Sequence, residues 1–176
     1  MRTLSRRAFV ATLATVPLAV PRRIHAGSAA SRVLSFIHLH TGERLVVEYF
    51  NRGSYLSDAL GSINQFLRDF RTNEVHEIDQ RLLDLLYGLN DVTGSRLPYQ
   101  VISGYRSPAT NQMLRQRSEG VAAGSLHMRG QAIDIRLPDV PLARLREAAL
   151  SLRQGGVGYY PASDFVHVDT GRVRTW

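Results

Sequence analysis

The 176-residue chain contains no cysteine. That absence excludes a disulfide framework, a thiolate nucleophile and any zinc site built on sulfur, so a metal here must be held by histidine and carboxylate. Lysine is absent as well, and all 22 basic residues are arginine. No apolar run reaches the roughly 18 residues expected of a membrane-crossing helix. The pattern His-Glu-x-x-His is also missing, which removes a helix-borne metallopeptidase site. A net charge of +7 would suit a nucleic-acid partner if it were spread over the fold. It is not: five arginines and no acid lie before residue 27, which leaves the rest at only +2. A nucleic-acid function loses its main support, while mild attraction to an anionic polymer survives.

What is present divides into an address and a domain. Ser5-Arg6-Arg7-Ala8-Phe9-Val10 resembles a twin-arginine export signal, followed by an apolar stretch from Ala8 to Val20. Small residues then offer cleavage after Ala26 or after Ala30. The expectation is that residues 1–30 form a signal peptide read by the twin-arginine translocase, which delivers the protein to the periplasm. That route carries folded proteins, which suits a protein that takes up its metal before export. Residues 31–176 remain, about the size of one domain, and an apolar content of 44% suits a globular fold.

Two β-leaning runs, Val33 to Leu39 and Arg44 to Phe50, flank His40-Thr41-Gly42-Glu43 and predict a hairpin. Apolar spacing predicts a helix from Ser57, as cap, to about Phe70, and another from about Ile78 to Asn90. A strand from Tyr99 to Gly104 follows. Ser107 and Pro108 then open a helix to about Arg117. Residues 119–130 read as a glycine-rich loop, Gln131 to Leu137 as a strand, and Leu142 to Leu152 as a helix. Short strands complete the chain near Val157–Tyr160 and Phe165–Asp169. The predicted class is α+β: one domain, helices mostly first, then a small and mainly antiparallel sheet that carries the site.

Three segments are polar where a core would be apolar. In Ser125-Leu126-His127-Met128-Arg129-Gly130-Gln131-Ala132-Ile133-Asp134, strand alternation turns Asp134 away from the layer of Ile133 and Ile135. Gly130 and Ala132 are small enough to let the backbone pass close under a metal or substrate. In Asp164-Phe165-Val166-His167-Val168-Asp169, the residues Phe165, His167 and Asp169 share one face, while Val166 and Val168 supply the buried one. The third segment, Gly104-Tyr105-Arg106-Ser107, is a strand-to-helix corner. Two histidines and one aspartate satisfy a catalytic zinc with an open position. A nearby carboxylate and an arginine would complete hydrolytic chemistry.

Ser125-x-His127-x-x-Gly130-x-Ala132-x-Asp134, followed by His167, resembles the zinc peptidase family of D-Ala-D-Ala carboxypeptidases and murein endopeptidases. The Gly104–Ser107 corner, Gly156-Val157-Gly158-Tyr159-Tyr160 and Gly171-Arg172-Val173-Arg174-x-Trp176 extend the similarity over residues 32–176, toward the MepK-like subgroup. The resemblance implies zinc on His127, Asp134 and His167, with Asp164 as catalytic acid or base. It also implies that Arg106 contacts the substrate carbonyl or carboxylate, and that the reaction is hydrolysis of peptide cross-links in peptidoglycan. Removal of a terminal D-alanine and a non-catalytic wall-binding module are the alternatives. Asp169 is either a partner that orients His167 or a turn residue before Gly171. His38, His40 and His76 read as ordinary surface or core histidines. Tyr105, Tyr159 and Trp176 read as packing or cleft walls.

Overall fold

The computed structural model describes residues 31–117 and 120–176. The expected signal, residues 1–30, lies outside them. The elements in chain order are β1 (Arg32–His38), β2 (Arg44–Asn51), β3 (Ser54–Tyr55), α1 (Ser57–Phe66), α2 (Gln80–Thr93), β4 (Tyr99–Ser103) and α3 (Pro108–Arg117). They continue with β5 (Ala132–Arg136), α4 (Leu142–Leu152), β6 (Gly156–Tyr160), β7 (Phe165–Asp169) and β8 (Arg174–Thr175). Single 3-10 turns occupy Leu126–Arg129 and Pro161–Ser163.

The α+β class holds, but the sheet is neither small nor simply antiparallel. All eight strands join one sheet in the order β3-β2-β1-β4-β5-β7-β6-β8, with β1/β4 and β6/β8 parallel. The leading hairpin falls where its two β-leaning runs predict it. The β1–β2 hairpin precedes the helices, and the long path through α1 and α2 returns the chain beside β1 in the same direction, as a parallel pair requires. The two-residue strands β3 and β8 carry too little periodicity to be read from sequence.

Two helix boundaries move for identifiable reasons. Helix α1 ends at Phe66 rather than Phe70, and its cap is Leu56, not Ser57. The Leu67 carbonyl accepts the Tyr105 N–H at 2.8 Å instead of continuing the helical ladder. Helix α2 starts after Asp79, whose carboxylate accepts the Arg81 N–H at 3.0 Å. Helix α3 begins as read, with the Thr110 N–H donating to Ser107 Oγ at 3.2 Å.

One sheet face makes the core. Leu34, Phe36, Tyr99, Val101, Ile133, Ile135, Val166 and Val168 are buried there, together with Ile63, the leucines of α2, and Leu145 of α4. Across β5 and β7 the cross-strand pairs alternate: Ile133 with Val168 and Ile135 with Val166 on the core side, Asp134 with His167 on the other. The burial of those apolar pairs sets the register, because a one-residue slip would turn them out and the polar pair in. The core therefore determines where the polar pair sits.

Candidate active site

Asp134 and His167 stand side by side on neighbouring strands, and His127 reaches them from the 3-10 turn that precedes β5. Their facing atoms converge. His167 Nδ1 lies 2.9 Å from Asp134 Oδ1 and 3.1 Å from His127 Nε2, and His127 Nε2 lies 3.2 Å from Asp134 Oδ1. Ligand atoms on a tetrahedral ion with bonds of about 2.0–2.1 Å lie about 3.3 Å apart, so the triad already has the size of a metal-binding face. Among the described residues it is the group of His, Asp and Glu side chains placed to hold a metal.

The far side of each imidazole is occupied by a carbonyl or carboxylate. His127 Nδ1 is 2.7 Å from the Gly104 carbonyl, and His167 Nε2 is 3.0 Å from Asp169 Oδ2. Both oxygens are acceptors, so each ring carries its proton there and turns a lone pair toward the triad. Asp169 is fully buried and held in turn by the Arg174 guanidinium at 3.0 and 2.6 Å and by the N–H groups of Gly156 and Gly171 at 3.0 and 2.8 Å. Strand alternation had placed Asp169 on His167's face. The roles of Gly104 and Gly156 have no local signal, because their partners lie 23 and 13 residues away, whereas Arg174 reaches back only five residues to Asp169.

Electrostatics point to a cation at the convergence. Burial opposes ionisation of Asp134, but His127 and His167 outweigh it and hold this carboxyl well below the usual range. Burial pushes the His127 imidazole below its ordinary value despite Asp134. Burial acts on His167 as well, yet its hydrogen bonds to Asp134 and Asp169 push it up to about 8. A divalent ion at the convergence would meet the same carboxylates and would displace any proton on the triad side of the His167 ring, leaving the one held by Asp169.

Arg106 lines the same cleft, which has a volume of about 460 Å³. Its Nη2 is 3.6 Å from Asp134 Oδ2, too long for a hydrogen bond, and its buried Nε has no partner. Burial lowers the pKa of this guanidinium, with Asp134 opposing, but an arginine stays charged. Nη1 donates to Asn111 Oδ1 at a long 3.5 Å, so the guanidinium is loosely held where it lines the cleft and keeps donor capacity for a ligand. The corner that carries Arg106 is braced by buried Asp69, which accepts the N–H groups of Ser107 at 2.9 Å and Arg71 at 3.0 Å. Nothing in the local sequence marked Asp69.

Asp164 is not brought to the triad. Its carboxylate is largely exposed and ion-paired with Arg136, beside a separate depression lined by Gln100 and Asp139. Its neighbours Ser163 and Phe165 do line the cleft. His38 is buried and lies in the aromatic group with His40, Phe66 and Phe70, while His40 stacks on Phe70 and His76 on Tyr105.

The site can be set beside known proteins. A family model described as peptidoglycan L,D-endopeptidase MepK matches residues 26–176. The chain is 50% identical over 145 residues to peptidoglycan L,D-endopeptidase MepK of Escherichia coli K12, covering 82% of this chain and 80% of that protein. The chain belongs to this peptidase family. Its similarity to the family member of Shigella flexneri has the same identity and coverage. A probable peptidoglycan L,D-endopeptidase MepK of Haemophilus influenzae is 47% identical over 146 residues, 82% of this chain and 78% of that protein. The family match includes the triad, the Arg106 corner and the Asp169–Arg174 support.

Proposed function

We propose that this chain is a zinc-dependent peptidoglycan endopeptidase that hydrolyses L,D bonds, the type that joins two diaminopimelate residues in 3-3 cross-links. The observation that carries the chemistry is the convergence of His127 Nε2, Asp134 Oδ1 and His167 Nδ1 with both imidazole tautomers set from behind. The L,D bond is carried over from the relatives' names, and the 3-3 link is proposed as the cross-link whose bond has that chirality. Two histidines and a carboxylate without cysteine fit zinc with a position left for reaction.

Zinc bound there supplies positive charge for the scissile carbonyl and makes water acidic enough to act near neutral pH. The chain's own groups do the rest. Gly104 and Asp169 keep the two rings oriented. Arg106 donates from its guanidinium to the carbonyl oxygen or to a carboxylate beside the cut, where negative charge gathers. Water adds to the carbonyl carbon, the amide C–N bond breaks, and the water's proton passes to the leaving amine. Asp164 is proposed as the group that relays that proton, from the rim between two cleft residues, after its carboxylate exchanges Arg136 for substrate or water.

Dimeric muropeptides with 3-3 and with 4-3 links test this reading. Mass analysis should show the 3-3 dimer split into monomers, the 4-3 dimer intact, and cleavage stopped by a chelator. Loss of a terminal D-alanine from monomers would instead indicate a carboxypeptidase. An intact 3-3 dimer with one equivalent of zinc bound would end the endopeptidase reading. For Asp164→Asn the expected result is a fall in kcat of about a hundredfold or more with unchanged metal content. Wild-type turnover of that variant would move the proton relay elsewhere and leave the metal assignment standing.

The proposed address is the periplasm, reached through the twin-arginine translocase by the signal in residues 1–30. Among the described residues no helix is long and apolar enough to cross a membrane.

A further inference from the structure

Trp176 is the chain's single tryptophan, and it is half-exposed although its ring is held on several sides. Its backbone is paired into the sheet edge: its N–H donates to the Val157 carbonyl at 3.3 Å, and its carbonyl accepts the Tyr159 N–H at 3.1 Å. The indole Nε1 donates to Tyr160 Oη at 2.7 Å. The Arg174 guanidinium carbon lies 4.8 Å from the ring centre, and that arginine is itself fixed by Asp169. Beneath the ring is Gly158, where an added Cβ would come within 2.8 Å of indole atoms. The other neighbour is His167, with ring centres 5.2 Å apart, so the indole forms cleft wall directly beside the triad.

A large aromatic left half in water gains nothing for the core from such fixing. An immobilised aromatic does present apolar area to a ligand at low entropic cost. We infer that the Trp176 indole is a specificity-determining wall of the cleft that packs against the aliphatic side-chain methylenes of the diaminopimelate residue beside the scissile bond. The assignment rests on the endopeptidase reading for the identity of the peptide and on the geometry for the contact. Tyr160 and Phe165, stacked at 4.5 Å, continue the same wall. Arg106 lines the cleft as well, giving the substrate a charged donor and an apolar surface within one cavity.

Kinetics and emission together test it. Trp176→Ala should raise KM for the 3-3 dimer about tenfold, the scale for truncating a contact aromatic, with kcat within about threefold and metal content unchanged. Trp176→Phe, which keeps an apolar ring but loses the bond to Tyr160, should fall between. Because no other tryptophan contributes, titrating the zinc-loaded wild type with a monomeric stem tripeptide ending in diaminopimelate should give a saturable change in emission. The peptide-free disaccharide should give none. A KM for Trp176→Ala within twofold of wild type overturns the inference. So does loss of metal with unchanged KM, which would make the ring only a buttress for His167. Should Trp176→Ala fail to fold, Trp176→Phe and the wild-type emission decide, and a flat emission while the tripeptide inhibits cleavage counts against the wall. Failure of the endopeptidase reading is seen separately, as dimers left uncut whatever the emission does.

Discussion

Replacing His127 by alanine is expected to remove both the bound metal and the hydrolysis of muropeptide dimers. The triad offers three donor atoms, and alanine leaves two that face each other with no third support. Charge stabilisation by a metal amounts to several kcal/mol of barrier, and at a factor of ten per about 1.4 kcal/mol the rate should fall about a thousandfold or more. Metal analysis after dialysis and single-turnover cleavage measure the two effects separately. Fold stability should fall less, since the main structural loss is the buried bond to the Gly104 carbonyl, about 1–3 kcal/mol. Asp169→Asn tests the support behind His167. It keeps the shape but weakens the acceptor on His167 Nε2, and metal affinity should drop about 10–100-fold. A His127→Ala protein that still binds one zinc and still cuts would refute the triad as the metal centre.

The second large effect concerns the backbone rather than chemistry. Gly130 ends the turn that carries His127, with φ +64°, and an added Cβ would come within 2.0 Å of the Glu77 carbonyl oxygen. Gly130→Ala therefore combines a left-handed conformation that costs about 1–2 kcal/mol with a displaced backbone costing about 1–3 kcal/mol. The expected loss is about 3 kcal/mol or more, read as a fall in Tm of roughly 10 °C. Gly61→Ala is the control. Gly61 lies exposed in α1 with no atom near its missing side chain, and alanine there should raise stability by up to about 1 kcal/mol. Equal melting of the wild type and Gly130→Ala would mean that the turn relaxes away from Glu77 without cost.

Gly130 also shows how sequence and structure divide the explanation. Its smallness in the motif suggested room for a metal or substrate, and the reason in the structure is a carbonyl from a segment more than fifty residues earlier. Asp164 and Asp169 make the same point in opposite directions. The resemblance makes Asp164, three residues before His167, the candidate for proton transfer, and the structure puts it on the rim, where its left-handed backbone at φ +52° closes a 3-10 turn and its carboxylate is paired with Arg136. Asp169, which the sequence allows as either a turn residue or a ring partner, is fully buried against His167. The difference is local geometry. Asp169 lies within a strand, where alternation carries through from His167, and Asp164 lies before the strand begins.

The amino-acid sequence by itself determined the α+β class, most element positions, the histidines and aspartate of the cleft, and the face on which Asp134, His167 and Asp169 lie. Those features depend on short-range periodicity and on residue chemistry, which a linear string records. Tertiary structure alone decided the eight-strand order, the parallel pairing of β1 with β4, and the approach of His127 to the Asp134–His167 pair. It also decided the Gly104 carbonyl behind His127, the Asp69 brace under Arg106 and the placing of the Trp176 ring beside His167. Each of these joins segments far apart in the chain, and their meeting follows from how the apolar faces pack into one core.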